Sequence, residues 1–385
     1  MSIERIRANM LFLAGELPHR SAVSELEKRA AAYLADRLRE HTPHVEVDSF
    51  TTVDNPLLLF ASYYAEFLVV AIIAFWWPLA AAVYGAVVFG CYLAEFLGYR
   101  VLARLMPPFH TQNVAARFLA QEPKYLFIVT ANYDSARETP LTRPAAMPLL
   151  RPLHFGIIAA MVLVIATCTV EGLGLFNPGL PVHISLRWAA VGTLLTAAAI
   201  LYYSGATPVE TRGANTNGAG VCALLELAER FGGNPIENAD MWLVATGAQS
   251  SWMSGMRRLL TDPNLDRDRT YILNIESVGA GRLHYLTSEG MLHHAEASPA
   301  MRRAAEAVHD AYDAHPAGFN ALPLAGDLPL ARGLQTLTLA GLGGDGFPPY
   351  WSNRDDTLAA VDENAVSNAA AFGEALLRRL ARDLP

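Results

Sequence analysis

Polar side chains stand where the apolar runs of this sequence end, or where a helical segment is about to begin. They are Asn132, Asp134, Thr216, Gln249, Ser250 and Glu276. Because ligands of α/β sheets bind at the carboxyl ends of the strands, these residues form a candidate site. The carboxylates could bind a metal ion or move a proton, whereas the amides and hydroxyls supply neutral oxygens and hydrogen bonds.

Alternating strand and helix patterns position these residues. Strands are predicted at 45–51, 113–120, 125–134, 241–248, 270–279 and 334–341, and helices at 24–41, 219–231, 299–315 and 362–384. Continuous apolar runs are typical of strands that are buried on both faces of a parallel sheet. The pattern therefore predicts one α/β domain whose largely parallel sheet is covered by helices.

The chain as a whole is unusually apolar. Of its 385 residues, 52% are hydrophobic and only 17% are charged, and the mean hydropathy is +0.22. This balance indicates that part of the chain lies in lipid. The net charge of −8, without a basic stripe along any segment, argues against a nucleic-acid-binding protein.

Two pairs of apolar segments predict four membrane-spanning helices. The first stretch, 57–99, contains only Glu66 and Glu95 as charged residues and is divided at WWP, residues 76–78. Its length suits two crossings, since ~20 residues cross the hydrocarbon core. The second pair, 153–175 and 186–204, is separated by the Pro/Gly loop FNPGLP at 176–181. The alternative is that these segments are buried core helices, which the scarcity of charges disfavours.

Membrane hairpins are accordingly expected at 56–104 and 151–204, and the α/β domain in 1–55, 105–150 and 205–385. Each hairpin returns the chain to its starting side, where five arginines flank the helices. They are Arg100, Arg104, Arg143, Arg151 and Arg212, and only Arg187 lies near a helix end on the far side. The positive-inside rule then predicts a multi-pass cell-membrane protein whose soluble domain is cytoplasmic. The N-terminus has no signal-peptide pattern, which agrees with this placement.

Glu66 lies in the middle of the first predicted membrane helix. An ionisable residue at this depth indicates a functional role by default, because burying a charge in lipid is costly. It could pair with another subunit, or it could be a neutral glutamic acid that is hydrogen-bonded between helices. The sequence leaves both interpretations open.

Outside the hairpins, five segments resemble, in order, the active-site motifs of the M28 family of zinc aminopeptidases, whose fold is shared with glutaminyl cyclases. TANYDS resembles the His-x-Asp strand end, RGANTNGAG the Gly-Ala-x-Asp-Asn-x-x-Gly loop, and ATGAQSSWMSG the Gly-Ala-Glu-Glu loop. NIESVG resembles the Asn-x-Asp-x-x-Gly strand end, and DDTLAAVD the Asp-Thr segment after the last metal histidine. The resemblance implies a three-layer αβα sandwich with a mostly parallel central sheet and two inserted hairpins.

The family's chemistry depends on two zinc ions, held by histidines and carboxylates, and on a glutamate that takes a proton from the metal-activated water. In this chain the resemblance places other residues at most of those positions. Asn132 replaces the first histidine, Thr216 the bridging aspartate, Gln249 the general base and Ser250 the neighbouring ligand, while Ser352 replaces the last histidine, or Trp351 does so if the register shifts by one.

Two carboxylates survive in this pattern. Glu276 remains a competent ligand, and Asp134 matches a residue that supports the first metal site in the family without binding metal by itself. Neutral oxygens hold zinc poorly, and Gln249 has no basic site that could accept a proton. We therefore expect a vestigial pocket with no catalytic residue, no metal and no other cofactor. The vestigial pocket comprises Asn132, Asp134, Thr216, Gln249, Ser250, Glu276 and Ser352.

These observations predict a catalytically inactive membrane protein that serves as a subunit, scaffold or adaptor of a membrane complex. Its expected partners are integral membrane proteins and the lipid bilayer. One alternative is an active membrane-bound metallo(amino)peptidase or hydrolase whose altered site holds one metal at Glu276 and Asp134 with help from distant histidines. Another is a binding protein whose pocket captures a peptide end or a lipid headgroup.

Overall fold

The computed structural model describes residues 2–175, 182–292 and 294–385. The predicted Pro/Gly loop at 176–181 therefore lies outside the described residues. The chain divides into two compact units, each assembled from segments that are discontinuous in sequence. Met1–Asp54, Phe109–Pro148 and Val209–Pro385 form the first unit, and Asn55–Pro108 with Leu149–Pro208 form the second.

Within the described residues, the first unit contains a nine-stranded sheet and a two-stranded ribbon. In chain order the strands are β1 Val45–Thr52, β2 Phe109–Phe118, β3 Tyr125–Asn132, β4 Arg137–Glu138, β5 Val209–Glu210, β6 Ala239–Thr246, β7 Thr270–Glu276, β8 Arg282–Glu289, β9 Ala295–Glu296, β10 His315–Phe319 and β11 Gln335–Leu342. The large sheet has the order β1-β2-β6-β3-β7-β11-β8-β10 with β9 beside β8, and β4 pairs with β5 in the ribbon.

The centre of the large sheet is parallel. β6, β3, β7 and β11 run in the same direction, while β1 with β2, β2 with β6, and β11 with β8 are antiparallel. The register is level at the carboxyl ends, since Asn132 pairs with Thr246 and Ala340 pairs with Glu276. The predicted α/β class with a mostly parallel sheet is confirmed, and the strand ends that were expected to carry the site lie along one edge.

Helices cover both faces of this sheet. One face packs against α1 Ser2–Met10, α2 Glu25–Arg39, α7 Gly220–Gly233, α9 Pro299–Glu306 and α11 Glu363–Asp383, and the other against α8 Ser254–Leu259 and α10 Asp327–Ala331. The alternation of β3 shows why two layers form. Phe127 and Val129 lie in the first core and Ile128 lies in the second. The predicted three-layer sandwich is confirmed.

One predicted helix is wrong in its second half. The segment 299–315 forms α9 only as far as Glu306, and the chain then makes a short 3₁₀ turn at His309–Tyr312. Asp313 adopts a left-handed conformation with φ 49°, and His315–Phe319 becomes β10, which pairs in parallel with β8. Pairing with β8 therefore outweighs the local helical pattern.

The second unit consists of four long apolar helices. They are α3 Pro56–Ile73, α4 Pro78–Phe96, α5 Met147–Gly172 and α6 Val182–Ala206. All four are long and apolar enough to cross a membrane. α5 begins six residues before the predicted segment and contains Pro152 inside the helix, where proline has no amide to donate to the carbonyl four residues earlier. The prediction of four apolar helices with the length of membrane spans is confirmed.

Two acidic side chains of the second unit, Glu95 and Glu171, are paired within it. The Glu95 carboxylate, at the end of α4, accepts hydrogen bonds from the backbone amides of Val101 and Leu102, both at 2.9 Å, and from the Tyr63 hydroxyl at 3.2 Å. Glu171 of α5 forms an ion pair with Arg187 of α6. Because hydrocarbon offers no hydrogen bonds, such pairing is what allows these side chains to lie on apolar helices.

Candidate functional site

All seven residues of the vestigial pocket belong to the first unit. Asn132 ends β3, Glu276 ends β7, and Asp134 follows β3 by two residues. Gln249 and Ser250 lie in the loop after β6. Thr216 lies in a π-helical turn, Ala214–Ala219, that leads into α7, and Ser352 lies in the loop after β11.

Asp134 anchors the loop after β6. Its carboxylate accepts hydrogen bonds from the backbone amides of Gln249 at 2.7 Å and Ser250 at 2.9 Å, and from the Ser250 hydroxyl at 2.7 Å. Asp134 is fully buried, and burial raises its pKa while the bonds from Ser250 and Gln249 lower it. Both oxygens are engaged by the chain itself, so this carboxylate acts as a structural clamp on the loop.

Glu27 is hydrogen-bonded to the same loop after β6. This buried residue of α2 accepts hydrogen bonds from the Thr111 hydroxyl at 2.9 Å and from the backbone amides of Ala248 at 3.0 Å and Val23 at 2.7 Å. The pKa of Glu27 is raised to about 8, chiefly by burial and also by the charge of Asp134, although the three donors oppose the rise. Two buried carboxylates thus hold residues 248–250 in place.

The glycines of this loop are retained for steric reasons. A Cβ on Gly247 would lie 2.4 Å from the carbonyl oxygen of Gln112, and a Cβ on Gly255 would lie 2.3 Å from the carbonyl oxygen of Gly247. Asn113 ties the two ends together, since its side chain accepts from Gly247 at 3.1 Å and donates to Gly255 at 2.9 Å. The loop's backbone therefore depends on these glycines whether or not acids occupy positions 249 and 250.

Thr216 and Ser352 are adjacent, and Asp356 holds the turn that contains Thr216. The Asp356 carboxylate accepts hydrogen bonds from the backbone amides of Asn215 at 2.6 Å and Thr216 at 3.0 Å, and so caps the turn that leads into α7. The backbone amide of Ser352 donates to the Thr216 hydroxyl at 3.3 Å. Burial raises the pKa of Asp356, and its bonds to Thr216 and Asn215 lower it. The positions of the bridging aspartate and the last histidine are therefore adjacent here, but they hold hydroxyls.

Glu276 is engaged by its neighbours as well. One of its oxygens accepts hydrogen bonds from the backbone amide of Ala325 at 2.7 Å and from the side-chain amide of Asn274 at 3.0 Å. Burial raises the pKa of Glu276, and these two donors lower it. The carboxyl that resembles a surviving ligand thus also serves to hold the segment before α10 against the sheet.

A fully buried arginine, Arg20, is hydrogen-bonded to backbone segments next to the site. Arg20 donates hydrogen bonds to the carbonyl oxygens of Tyr133 at 2.8 Å, Arg212 at 2.8 Å and Gly213 at 3.0 Å, and to that of Leu13. Burial lowers the pKa of its guanidinium to about 10, although the charges of Asp356 and Asp134 raise it. Its positive charge offsets these carboxylates within the fold.

Three loops at the site contain strained residues. Ala248, Ser277 and Ser352 have φ values of 51°, 53° and 50°, in the left-handed region that residues with a Cβ rarely adopt. Each such residue costs on the order of 1 kcal/mol and persists only where its surroundings hold it. The bonds from Ala248 to Glu27 and from Ser352 to Thr216 supply that constraint.

The sequence comparison matches the part of the chain that carries most of these loops. The model described as Peptidase family M28 matches residues 197–376. The chain contains an M28 peptidase-like domain. No curated protein shows significant sequence similarity to the chain.

Solved structures share the fold of this M28-like chain. A zinc aminopeptidase from Bacillus subtilis has a TM-score of 0.57 and 12% identity, covering 97% of this chain and 94% of that one. The aminopeptidase from Aneurinibacillus sp. strain AM-1 gives 0.57 and 12%, with 97% and 93% covered. Tannerella forsythia glutaminyl cyclase gives 0.55 and 13%, with 98% of each chain covered. At these identities the likeness concerns the fold.

The donor set of this M28-like domain does not fit zinc. A catalytic zinc site uses about three nitrogen, sulfur or carboxylate ligands. Across residues 2–175, 182–292 and 294–385, no three His, Cys, Asp or Glu side chains are grouped so that they could hold a metal ion. In the vestigial pocket only Asp134 and Glu276 are carboxylates, and Asp134 is occupied by amides. No reaction step through a metal follows from this arrangement.

Arg20, Glu27 and Asp356 support the site but were not predicted from the sequence. Glu27 carried a usable signal, because it is a charged residue on the core-facing side of α2, where Ala30, Ala31 and Leu34 are buried. Asp356 lies within the motif DDTLAAVD, but its position in the motif does not indicate which backbone amides it caps. Nothing in the sequence indicates that Arg20 is buried, because arginine is mostly a surface residue.

Proposed function

We propose that this chain is a catalytically inactive M28-like integral membrane protein that serves as a subunit, scaffold or adaptor of a membrane protein complex. One observation carries the proposal. The loops of a metallopeptidase site are kept in place by internal hydrogen bonds, while the ligand positions hold Asn132, Thr216, Ser250 and Ser352. A loop scaffold preserved without its metal ligands supports a structural or recognition role.

The four apolar helices support the membrane part of the proposal. They enter the chain as two internal insertions, so the M28-like domain is connected to them at four points in sequence. A domain attached in this way is restrained near the bilayer, where it can contact membrane partners. Following the arginine distribution, we place this domain on the cytoplasmic side of the cell membrane.

Metal analysis of the purified full-length chain tests the loss of catalysis. We expect well below one zinc per chain by mass spectrometry after exchange into metal-free buffer, and no hydrolysis of aminoacyl substrates. Stoichiometric zinc together with turnover that disappears on chelation would refute the proposal.

Extraction under mild conditions tests membership in a complex. We expect the chain, solubilised from native membranes, to migrate as an assembly larger than the 41.8-kDa protein in its own detergent micelle. A monodisperse monomer from native membranes would contradict this part of the proposal.

A membrane-bound metallo(amino)peptidase or hydrolase with an altered site is the second candidate. Its support is Glu276, a carboxylate retained at a central strand end, level with Ala340 of β11. If this candidate were correct, the chain would bind a divalent metal and Glu276→Gln would abolish that binding. The Glu25→Gln variant, at an exposed position of α2, serves as the matched control.

A further inference from the structure

Glu66 is an acidic residue well inside an apolar helix. α3 runs from Pro56 to Ile73, so Glu66 lies ten residues after its start and seven before its end. With a rise of ~1.5 Å per residue, these intervals correspond to roughly 15 Å and 10 Å. If α3 crosses the membrane, the carboxyl lies within the hydrocarbon region.

The hydrogen bonding of Glu66 is incomplete for that environment. The Tyr84 hydroxyl of α4 donates to Oε2 of Glu66 at 2.6 Å. Among the described residues, this is the one hydrogen bond to the carboxyl, and Glu66 is only half-buried. Hydrocarbon supplies no donor, so an intramembrane carboxyl gains by contact with a further polar group.

The surface beside this pair is suited to a close helix–helix contact. On α3, Val69 is 42% exposed one turn after Glu66. On α4, Ala80, Val83, Val87 and Gly90 recur at intervals of three or four residues and are exposed. A Cβ on Gly90 would meet nothing within 4 Å, so another backbone could approach there. We call this surface, together with Glu66 and Tyr84, the hairpin face.

The charge of the hairpin face identifies the kind of partner. A basic side chain would both neutralise the carboxyl and donate to its remaining acceptor positions. The helices α3 and α4 contain no lysine or arginine, so a second copy docked through the same face would present a carboxyl instead. Charge complementarity therefore favours a different protein over self-association.

We propose that the hairpin face docks a membrane-spanning helix of another protein, one that carries a lysine or arginine at the depth of Glu66. This inference rests on the proposed function, since it names a surface by which a complex subunit would be held. The Tyr84 hydroxyl orients the carboxyl, Gly90 permits close approach, and the valines provide apolar contact.

A defined peptide tests the proposal without knowledge of the natural partner. The probe is a synthetic leucine/alanine membrane-spanning helix with a single central lysine, and its control carries norleucine at that position. Energy transfer between labelled peptide and labelled full-length chain in nanodiscs measures binding. We expect the lysine peptide to bind roughly three- to thirtyfold more tightly, the range for one polar contact between membrane helices.

Variants locate the contact. Glu66→Gln should abolish the preference for lysine, and Val87→Trp should weaken the binding of both peptides. Val162→Trp, at a residue of α5 that is 46% exposed, is the matched control and should change neither. Size-exclusion profiles identical to wild type confirm that the variants remain folded.

Three results would overturn the inference. They are equal affinity for the two peptides, a lysine preference that persists in Glu66→Gln, and dimerisation of the chain through Val87 that the lysine peptide does not reverse. A chain that holds no zinc but ignores the lysine peptide would refute the hairpin face while leaving the proposed loss of catalysis intact.

Discussion

At the scale of single residues, buried charges govern the stability of the M28-like domain. Arg20 connects four carbonyl oxygens from three separate stretches of chain and lies near the carboxylates of Asp134 and Asp356. Removing a buried charge leaves its partners without donors and unbalances the remaining charges, which costs more than an exposed ion pair contributes.

Arg20→Met should therefore lower the free energy of unfolding by about 3–5 kcal/mol. Urea titration of the full-length chain in detergent, followed by tryptophan fluorescence, measures this change. Arg39→Met is the matched control, because Arg39 is half-exposed and pairs with Asp36 one turn away. It should cost less than about 1 kcal/mol, and equal losses for the two variants would contradict the assigned role of Arg20.

Glu27 makes stability depend on pH. Burial raises its pKa from 4.5 in the unfolded chain to about 8 in the folded one. A carboxyl whose folded pKa is raised contributes stability that is fully present below the unfolded pKa and is lost as pH rises through the folded pKa. The free energy of unfolding should thus decrease between about pH 4.5 and 8.

Glu27→Gln should flatten this decrease, measured by urea titrations at pH 5, 6.5 and 8. A residual slope is expected because burial also raises the pKa of Glu289 to about 8. Glu25→Gln, at an exposed position of the same helix, should retain the wild-type slope. A variant of Glu27 with an unchanged slope would show that another group dominates in this range.

At the scale of elements, much of the fold followed from the pattern of apolar residues. The strands β3, β6, β7 and β11 are continuous apolar runs, and the four long helices are nearly free of charge, so their periodicity and length were sufficient. The strands β8 and β10, at one end of the sheet, were missed, since RLHYLTSE and HPAGF have mixed polarity and gain their strand conformation from pairing.

The site was predictable in its positions but not in its bonds. The strand-end rule found Asn132, Gln249 and Glu276 because the carboxyl ends of parallel strands share one edge. The bonds from Asp134 to the loop after β6 and from Asp356 to the turn before α7 join residues more than a hundred positions apart. Sequence spacing gives no information about such contacts.

The turn before α7 depends on Asp356. Its buried carboxylate caps two backbone amides, whereas the exposed Asp362 carboxylate at the start of α11 caps one backbone amide, that of Asn364, and also accepts from the Asn364 side chain. We expect Asp356→Ala to destabilise the domain by about 2–3 kcal/mol and Asp362→Ala by about 1 kcal/mol. Thermal unfolding of both variants measures the difference, and a larger loss for Asp362→Ala would exclude this role.

At the scale of the whole molecule, the proposed orientation is testable by labelling. Arg382→Cys places a thiol at an exposed position of α11, while Trp76→Cys places one in the 69%-exposed turn between α3 and α4. In intact cells, a membrane-impermeant maleimide should label Cys at 76 and should label Cys at 382 only after the cells are opened. The reverse pattern would place the M28-like domain outside the cell.

The strand order constrains how the protein is made. β2 and β3 follow each other along the chain, but β6 lies between them in the sheet, and β6 is synthesised only after all four apolar helices. The strands β2 and β3 therefore cannot both pair with β6 while the ribosome is still producing the hairpins. We infer that the helices insert before the domain folds. During translation, β2 and β3 then have unpaired edges that chaperones need to protect.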